Sequence, residues 1–206
     1  MRALRLAIQL LRDYGGPYLA LNAAFYGIVL CGMLIGAANP GLHEQMVEGV
    51  RLSVQSGILH VVYEAYKERQ IVRAAALTFG VNLTLGSFGT ITLPSMVIPF
   101  VGLLMGCLRA LIWGILFSPV SPHARQVFIP HLPVLLVEGQ AYVLTMLAVY
   151  IQGTAFLRPH TVGAQSMGRG YYTGLCRSGQ LYLLIIVVLA ISAVYESIEG
   201  FFFFRP

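Results

Sequence analysis

Apolar residues run through this chain in blocks of about 20, each closed by proline, glycine or a short polar stretch, and such blocks suit bilayer-crossing helices. Five spans are predicted: 18–38, ended by Asn39-Pro40-Gly41; 71–92, stopping at Pro94; 95–117, ended by Ser118-Pro119; 130–153; and 180–196. Before the first span, Leu4, Ala7, Ile8 and Leu11 share one helical face while Arg2, Arg5, Gln9, Arg12 and Asp13 lie elsewhere, so residues 1–13 read as an interfacial helix. Gly15-Gly16 breaks it, and Pro17 suits the first turn of the next helix. Residues 42–70 are too polar to span, but their apolar positions recur at helical spacing, which predicts an amphipathic connector on the membrane or the bundle. Spans two and three are joined so closely that a tight helical hairpin is required. Residues 119–129 read as a Pro-containing loop, and the Gly-rich stretch after span four reads as a flexible connector. The expected fold class is all-α, a polytopic membrane helical bundle forming one domain over residues 1–206.

Composition strengthens that picture. Of 206 residues, 57% are hydrophobic and 10% charged, where a soluble domain has about 25% charged; mean hydropathy is +0.77. Residues 1–14 carry arginines but no small-residue cleavage site, so they do not read as a cleaved signal peptide. Cys31, Cys107 and Cys176 form no paired spacing, so neither a zinc ribbon nor a redox pair is expected. The net charge of +5 includes no basic run, which excludes nucleic acid as the expected partner and fits attraction to anionic lipid. Arg2, Arg5 and Arg12 fall on the same side as Arg158, Arg169 and Arg177, while the opposite short segments contribute Arg125 and Arg205. The positive-inside bias then puts the N-terminus in the cytoplasm and the C-terminus outside a plasma membrane. No internal repeat is visible, and an odd number of spans argues against an inverted-repeat transporter.

Candidate chemistry lies inside the spans. His131, Glu138, Thr145 and Gln152 recur every seven residues, forming one polar seam on an apolar helix. An ionisable group at membrane depth must face protein or trapped water and is a functional candidate. Arg109, deep in span three, needs a partner, and Glu138 is the only acid in spans two to four, so an Arg109–Glu138 pair is predicted. Thr78, Asn82, Gly86 and Thr90 share a face of span two, suited either to bonds across helices or to a cavity jointly lined by Asn82, Arg109 and Glu138. Gly102, Gly106, Ala110 and Gly114 form a small-residue ridge, continued by Ser118, that serves packing within the bundle or a dimer face. His131 and Glu138 are about 10 Å apart along a helix, too far to hold one metal ion. No nucleophile elbow, zinc helix or phosphate loop is present. No catalytic residue, metal or cofactor is expected, and the protein reads as a non-enzyme.

The stretch from Asn82 through the Gly-rich turn to Pro94 and Gly114 resembles the stage II sporulation protein M family of integral membrane proteins. His131 and Glu138 match that family's span-four His and intramembrane Glu, although Leu132 stands where a glycine is more usual. Residues 190–200, with Glu196, are similar to its closing span. The resemblance implies a membrane scaffold without catalytic residues, in a family that reaches well beyond sporulating organisms. The leading expectation is therefore a scaffold or accessory subunit of a membrane complex, with lipid and other membrane proteins or a second copy as partners. A transport component, with Asn82, Arg109, His131 and Glu138 lining a path for a proton or small solute, is the alternative.

Overall fold

The computed structural model describes residues 2–203, with side chains other than those of Arg2, Ala3, Pro122, His123 and Phe203; Phe204 and Arg205 lie outside it. Among the described residues the architecture is all-α. Helix α1 (Arg2–Asp13) leads almost without a break into α2 (Gly15–Ala38). Then come α3 (Pro40–Ser53) and α4 (Gly57–Lys67), followed by α5 (Ile71–Val81). A π-helical stretch (Asn82–Thr92) and α6 (Leu93–Val97) continue α5 as one rod. The chain reverses at residues 98–100 into α7 (Val101–Leu116), and the long α8 (Pro122–Leu157) and α9 (Met167–Phe203) complete the fold.

Four helices have the length and apolarity to cross a bilayer, namely Gly15–Ala38, Ile71–Val97, Ala124–Leu157 and Met167–Phe202, which makes this a multi-pass membrane protein. The fifth expected span, 95–117, is represented by α7, which has only 16 residues, about 24 Å. It nonetheless runs the depth of the bundle. Phe100, just before its start, lies against Tyr150 and Gly153 of α8, and Phe117, just past its end, stacks on His131 at 4.8 Å.

Three boundaries differ from expectation. Pro94 does not end span two, because the helix continues to Val97. Residues 122–129 are helix instead of loop: Ser121 Oγ accepts from the Ala124 N–H at 3.1 Å, and Pro122 occupies the first turn, where its missing N–H costs nothing. The Gly-rich connector is mostly the start of α9, which also contains Cys176. Its glycines pack: a side chain on Gly170 would strike the Ala155 carbonyl, and one on Gly174 would come within 3.0 Å of the Gln152 backbone. Ser178, four residues on, donates to the Ala148 carbonyl at 2.8 Å. Gly170, Gly174 and Ser178 thus form a small-residue ridge that joins α8 to α9, whereas such glycines would mark a loop in a water-soluble chain.

The predicted ridge on α7 is likewise used up within the chain. Gly102 faces Ile91 and Ser95, Gly106 faces the Met146 thioether, and Gly114 faces Val29 and Gly32 of α2. The Ser118 hydroxyl donates to the Met33 carbonyl at 2.8 Å and sits over Gly36. Gly32-x-x-x-Gly36, unremarked in the sequence reading, is the α2 half of this contact. Gly102, Gly106, Ala110 and Gly114 are all buried within the chain.

α1 seats Ala7 and Leu10 inward, with Leu4 and Ile8 exposed, and Tyr14 accepts from Arg177 of α9 at 3.1 Å. The expected connector is the α3–α4 pair at the opposite end. His43 Nδ1 is 2.9 Å from the Ile115 carbonyl, and Tyr66 lies 3.0 Å from the Thr78 hydroxyl and 3.4 Å from that of Ser197.

Gly114→Ala should lower stability in detergent by about 1–3 kcal/mol, because α2 must move away from the new methyl. Gly179, also helical but with nothing within 4 Å of an added Cβ, should tolerate alanine or gain up to about 1 kcal/mol. Equal thermal shifts for the two variants would contradict this packing.

Candidate functional site

The π-helical stretch sets the position of the site. Thr84 donates to the Gly80 carbonyl at 2.6 Å, Thr90 to Gly86 at 2.5 Å and Ser95 to Ile91 at 3.0 Å. Each hydroxyl occupies a carbonyl one turn back, where it competes with the α-helical bond and favours the wider turn. The widening disrupts the four-residue face read from sequence. Gly86 and Ser87 turn into the bundle, while Thr90 turns out and bonds its own helix.

Asn82 on this stretch, Arg109 on α7 and His131 and Glu138 on α8 line one cavity of about 330 Å³, together with Glu196 on α9. Val50, Leu59 and Val62 of α3–α4 also line it. Asn82 and Arg109 are partly buried and Glu138 is 5% exposed.

Arg109 and Glu138 do not form the predicted direct pair. Tyr142 stands between them: Arg109 Nη2 donates to the Tyr142 hydroxyl at 2.8 Å, and that hydroxyl donates to Glu138 Oε1 at 2.7 Å. The guanidinium also lies 4.1 Å from the Tyr142 ring centroid and 5.6 Å from that of Trp113. Tyr142 is four residues after Glu138, so both face the same way from α8. Gly86 is the residue that admits this bridge, since a Cβ there would lie 2.9 Å from the Tyr142 hydroxyl and 3.3 Å from Arg109 Nη2. Asn82 lines the cavity together with Glu138. Arg109 Nε is buried without a hydrogen-bond partner.

The other half of the cavity is acidic. His131 Nδ1 lies 3.1 Å from Glu199, and Glu196 is within reach of the Tyr66 hydroxyl. Glu196, Glu199 and Tyr142 were missed as site residues. Glu196 and Glu199 lie in the closing span, far from Arg109 in sequence, and Tyr142 reads as one more bulky residue unless its four-residue offset from Glu138 is considered.

The rest of the seam separates. Thr145 is fully buried and donates to the Ala141 carbonyl at 2.8 Å. Gln152 lines a smaller cavity of about 260 Å³, with Ser95 and Tyr171, at the other end of α8. A further network ties α2 to α8: Tyr18 donates to Gln140 at 2.6 Å, and Gln140 donates to Asn22 at 2.7 Å and to Tyr26 at 3.0 Å.

No family model, curated protein or solved structure matches this chain.

Tyr142→Phe should destabilise the protein by about 1–3 kcal/mol by leaving Arg109 and Glu138 without their common partner. Glu138→Gln should cost less in that background than in the wild type. Strict additivity of the two would reject the bridge.

Tyr66 lies outside the spans. Burial first, then the nearby Glu196 carboxylate, push its hydroxyl up to about 12, against about 10 for an unfolded tyrosine. Folding favours the neutral phenol, so this contribution is complete below about pH 10 and is lost as pH rises through about 12. The stability advantage of wild type over Tyr66→Phe should shrink across that window in detergent melts. A difference independent of pH would contradict the buried placement of Tyr66.

Proposed function

We propose that the protein is a non-enzymatic component of a membrane complex whose working part is this cavity, where a small polar solute or a proton is taken up. The observation that supports the reading is the convergence of Arg109, Glu138, Glu196, His131 and Asn82, from four separate parts of the chain, on one space within a bundle of membrane helices. Desolvating so many ionisable groups is costly and serves no packing need that apolar side chains would not meet better. This reading raises the transport alternative above pure scaffolding.

The scaffold reading rests on a different surface. On α3 and α4, exposed Val47, Leu52 and Ile58 stand beside the Arg51–Glu48 ion pair. A face of that kind suits lipid head groups or another membrane protein. The resemblance to the stage II sporulation protein M family favours this scaffold role and supplies no catalytic group.

A cell-membrane location with the N-terminus in the cytoplasm is part of the proposal. Arg12 and Arg177 belong to the end where α1 meets α9, and Arg158 and Arg169 lie near it in sequence. Glu44, Glu48, Glu64, Glu68, Glu196 and Glu199 belong to the opposite end. The cytoplasmic placement rests on the arginine-bearing segments, with three arginines before α2 and three after α8 against Arg125 at the start of α8. The α3–α4 connector carries Arg51, Lys67 and Arg69 together with its glutamates.

The test is water access. Asn82→Cys, in a chain whose Cys31, Cys107 and Cys176 are serine, should react with a charged thiosulfonate in native membranes. Leu136→Cys, at an apolar position 47% exposed on α8, should not. Failure of the Asn82→Cys protein to react would overturn the reading.

A further inference from the structure

The charges around the cavity do not cancel in pairs. Arg109 and His131 are the basic groups, while Glu138, Glu196 and Glu199 are acidic. His131 is committed to Glu199, and Glu138 accepts from Tyr142. Two groups are left with weaker partners. The Arg109 guanidinium donates only to a neutral phenol and keeps its buried Nε unpartnered. Glu196 has the Tyr66 hydroxyl within reach but no ion-pair partner among the described residues.

These two groups stand on helices that do not pack on each other: α7 packs chiefly on α2, and α9 chiefly on α8. They therefore reach the one cavity from separate helices, with Glu138 of α8 lining it as well. A simple anion drawn to Arg109 would meet the carboxylates, and a simple cation drawn to Glu196 would meet the guanidinium. A molecule carrying both charges answers both.

Building on the cavity reading proposed above, we infer that the cavity binds a small zwitterion of the α-amino-acid type. Its carboxylate faces Arg109 and its ammonium faces Glu196. A guanidinium fork matches a carboxylate in two-point geometry, and an ammonium donates readily to a carboxylate and a tyrosine hydroxyl. Val62, Val81, Val134 and Leu135 add apolar lining that suits a short aliphatic side chain. The volume of about 330 Å³ is at the small end of the range for ligand pockets.

The test uses the full chain in lipid nanodiscs, with radiolabelled alanine and leucine as probes and with propionate and propylamine as single-charge competitors. At least one amino acid should bind saturably, about tenfold or more tighter than either competitor. Arg109→Gln and Glu196→Gln should each weaken it by about tenfold or more. Glu196→Gln should leave competition by propionate in place, and Arg109→Gln should leave competition by propylamine. The wild-type competition series stands even if a variant fails to fold. Saturable amino-acid binding matched by propionate or propylamine alone, or no saturable binding of either amino acid, would overturn the inference. If Asn82→Cys still reacts with the charged thiosulfonate in that case, the cavity reading survives and only its assignment to a zwitterion falls; if it does not react, both fall.

Discussion

Taking a guanidinium and a carboxylate out of water in a membrane interior is the constraint on which this structure depends. The two charges are held close but apart, with one tyrosine hydroxyl accepting from Arg109 and donating to Glu138. A direct ion pair would satisfy Coulomb attraction with nothing more. The bridged form keeps the electrostatic attraction and leaves guanidinium donors turned to the cavity. It also places an aromatic face beneath the cation, an arrangement that gains strength where water is scarce. Every helix near the site makes room for this unit. The π-helical stretch brings Gly86 to the hydroxyl, α7 supplies the arginine, and α8 supplies both tyrosine and glutamate.

The bundle around it is closed by small residues. In lipid, helices gain little from burying leucine, so close backbone approach has to do that work. Two crossings use the same device: Gly32 and Gly36 against Gly114 and Ser118, and Gly170, Gly174 and Ser178 against α8. The first brings α7 against α2 and so fixes the depth of Arg109. The second brings α9 against α8 and so carries Glu196 and Glu199 to His131.

Much of this was legible in the chain. The seven-residue seam located α8 and its polar side, because helical periodicity does not depend on neighbours. The small residues of span three recur in register, and within the chain Gly102, Gly106 and Gly114 each lie against a neighbouring helix. The rest depended on contacts distant in sequence. Glu196 lies 58 residues beyond Glu138, and nothing local says that α9 returns to that end of α8. Tyr142 carries its polar atom at the tip of a ring that counts as bulk. The glycines of 163–179 fit the pattern of a water-soluble loop, and helix contact in a membrane selects the same residue. The π-helical widening arises from hydroxyls competing with backbone donors, which periodicity assumes to be absent.

The most direct measurement is a dipolar-recoupling solid-state NMR distance in lipid bilayers, between guanidinium nitrogens and the tyrosine hydroxyl-bearing carbon. Arg177→Lys would first remove the Arg177–Tyr14 contact. The structure requires a strong coupling that disappears on replacing Tyr142 by phenylalanine. No coupling, or one that survives that replacement, would mean that Arg109 turns elsewhere, and the inward-facing polar core described here would be wrong.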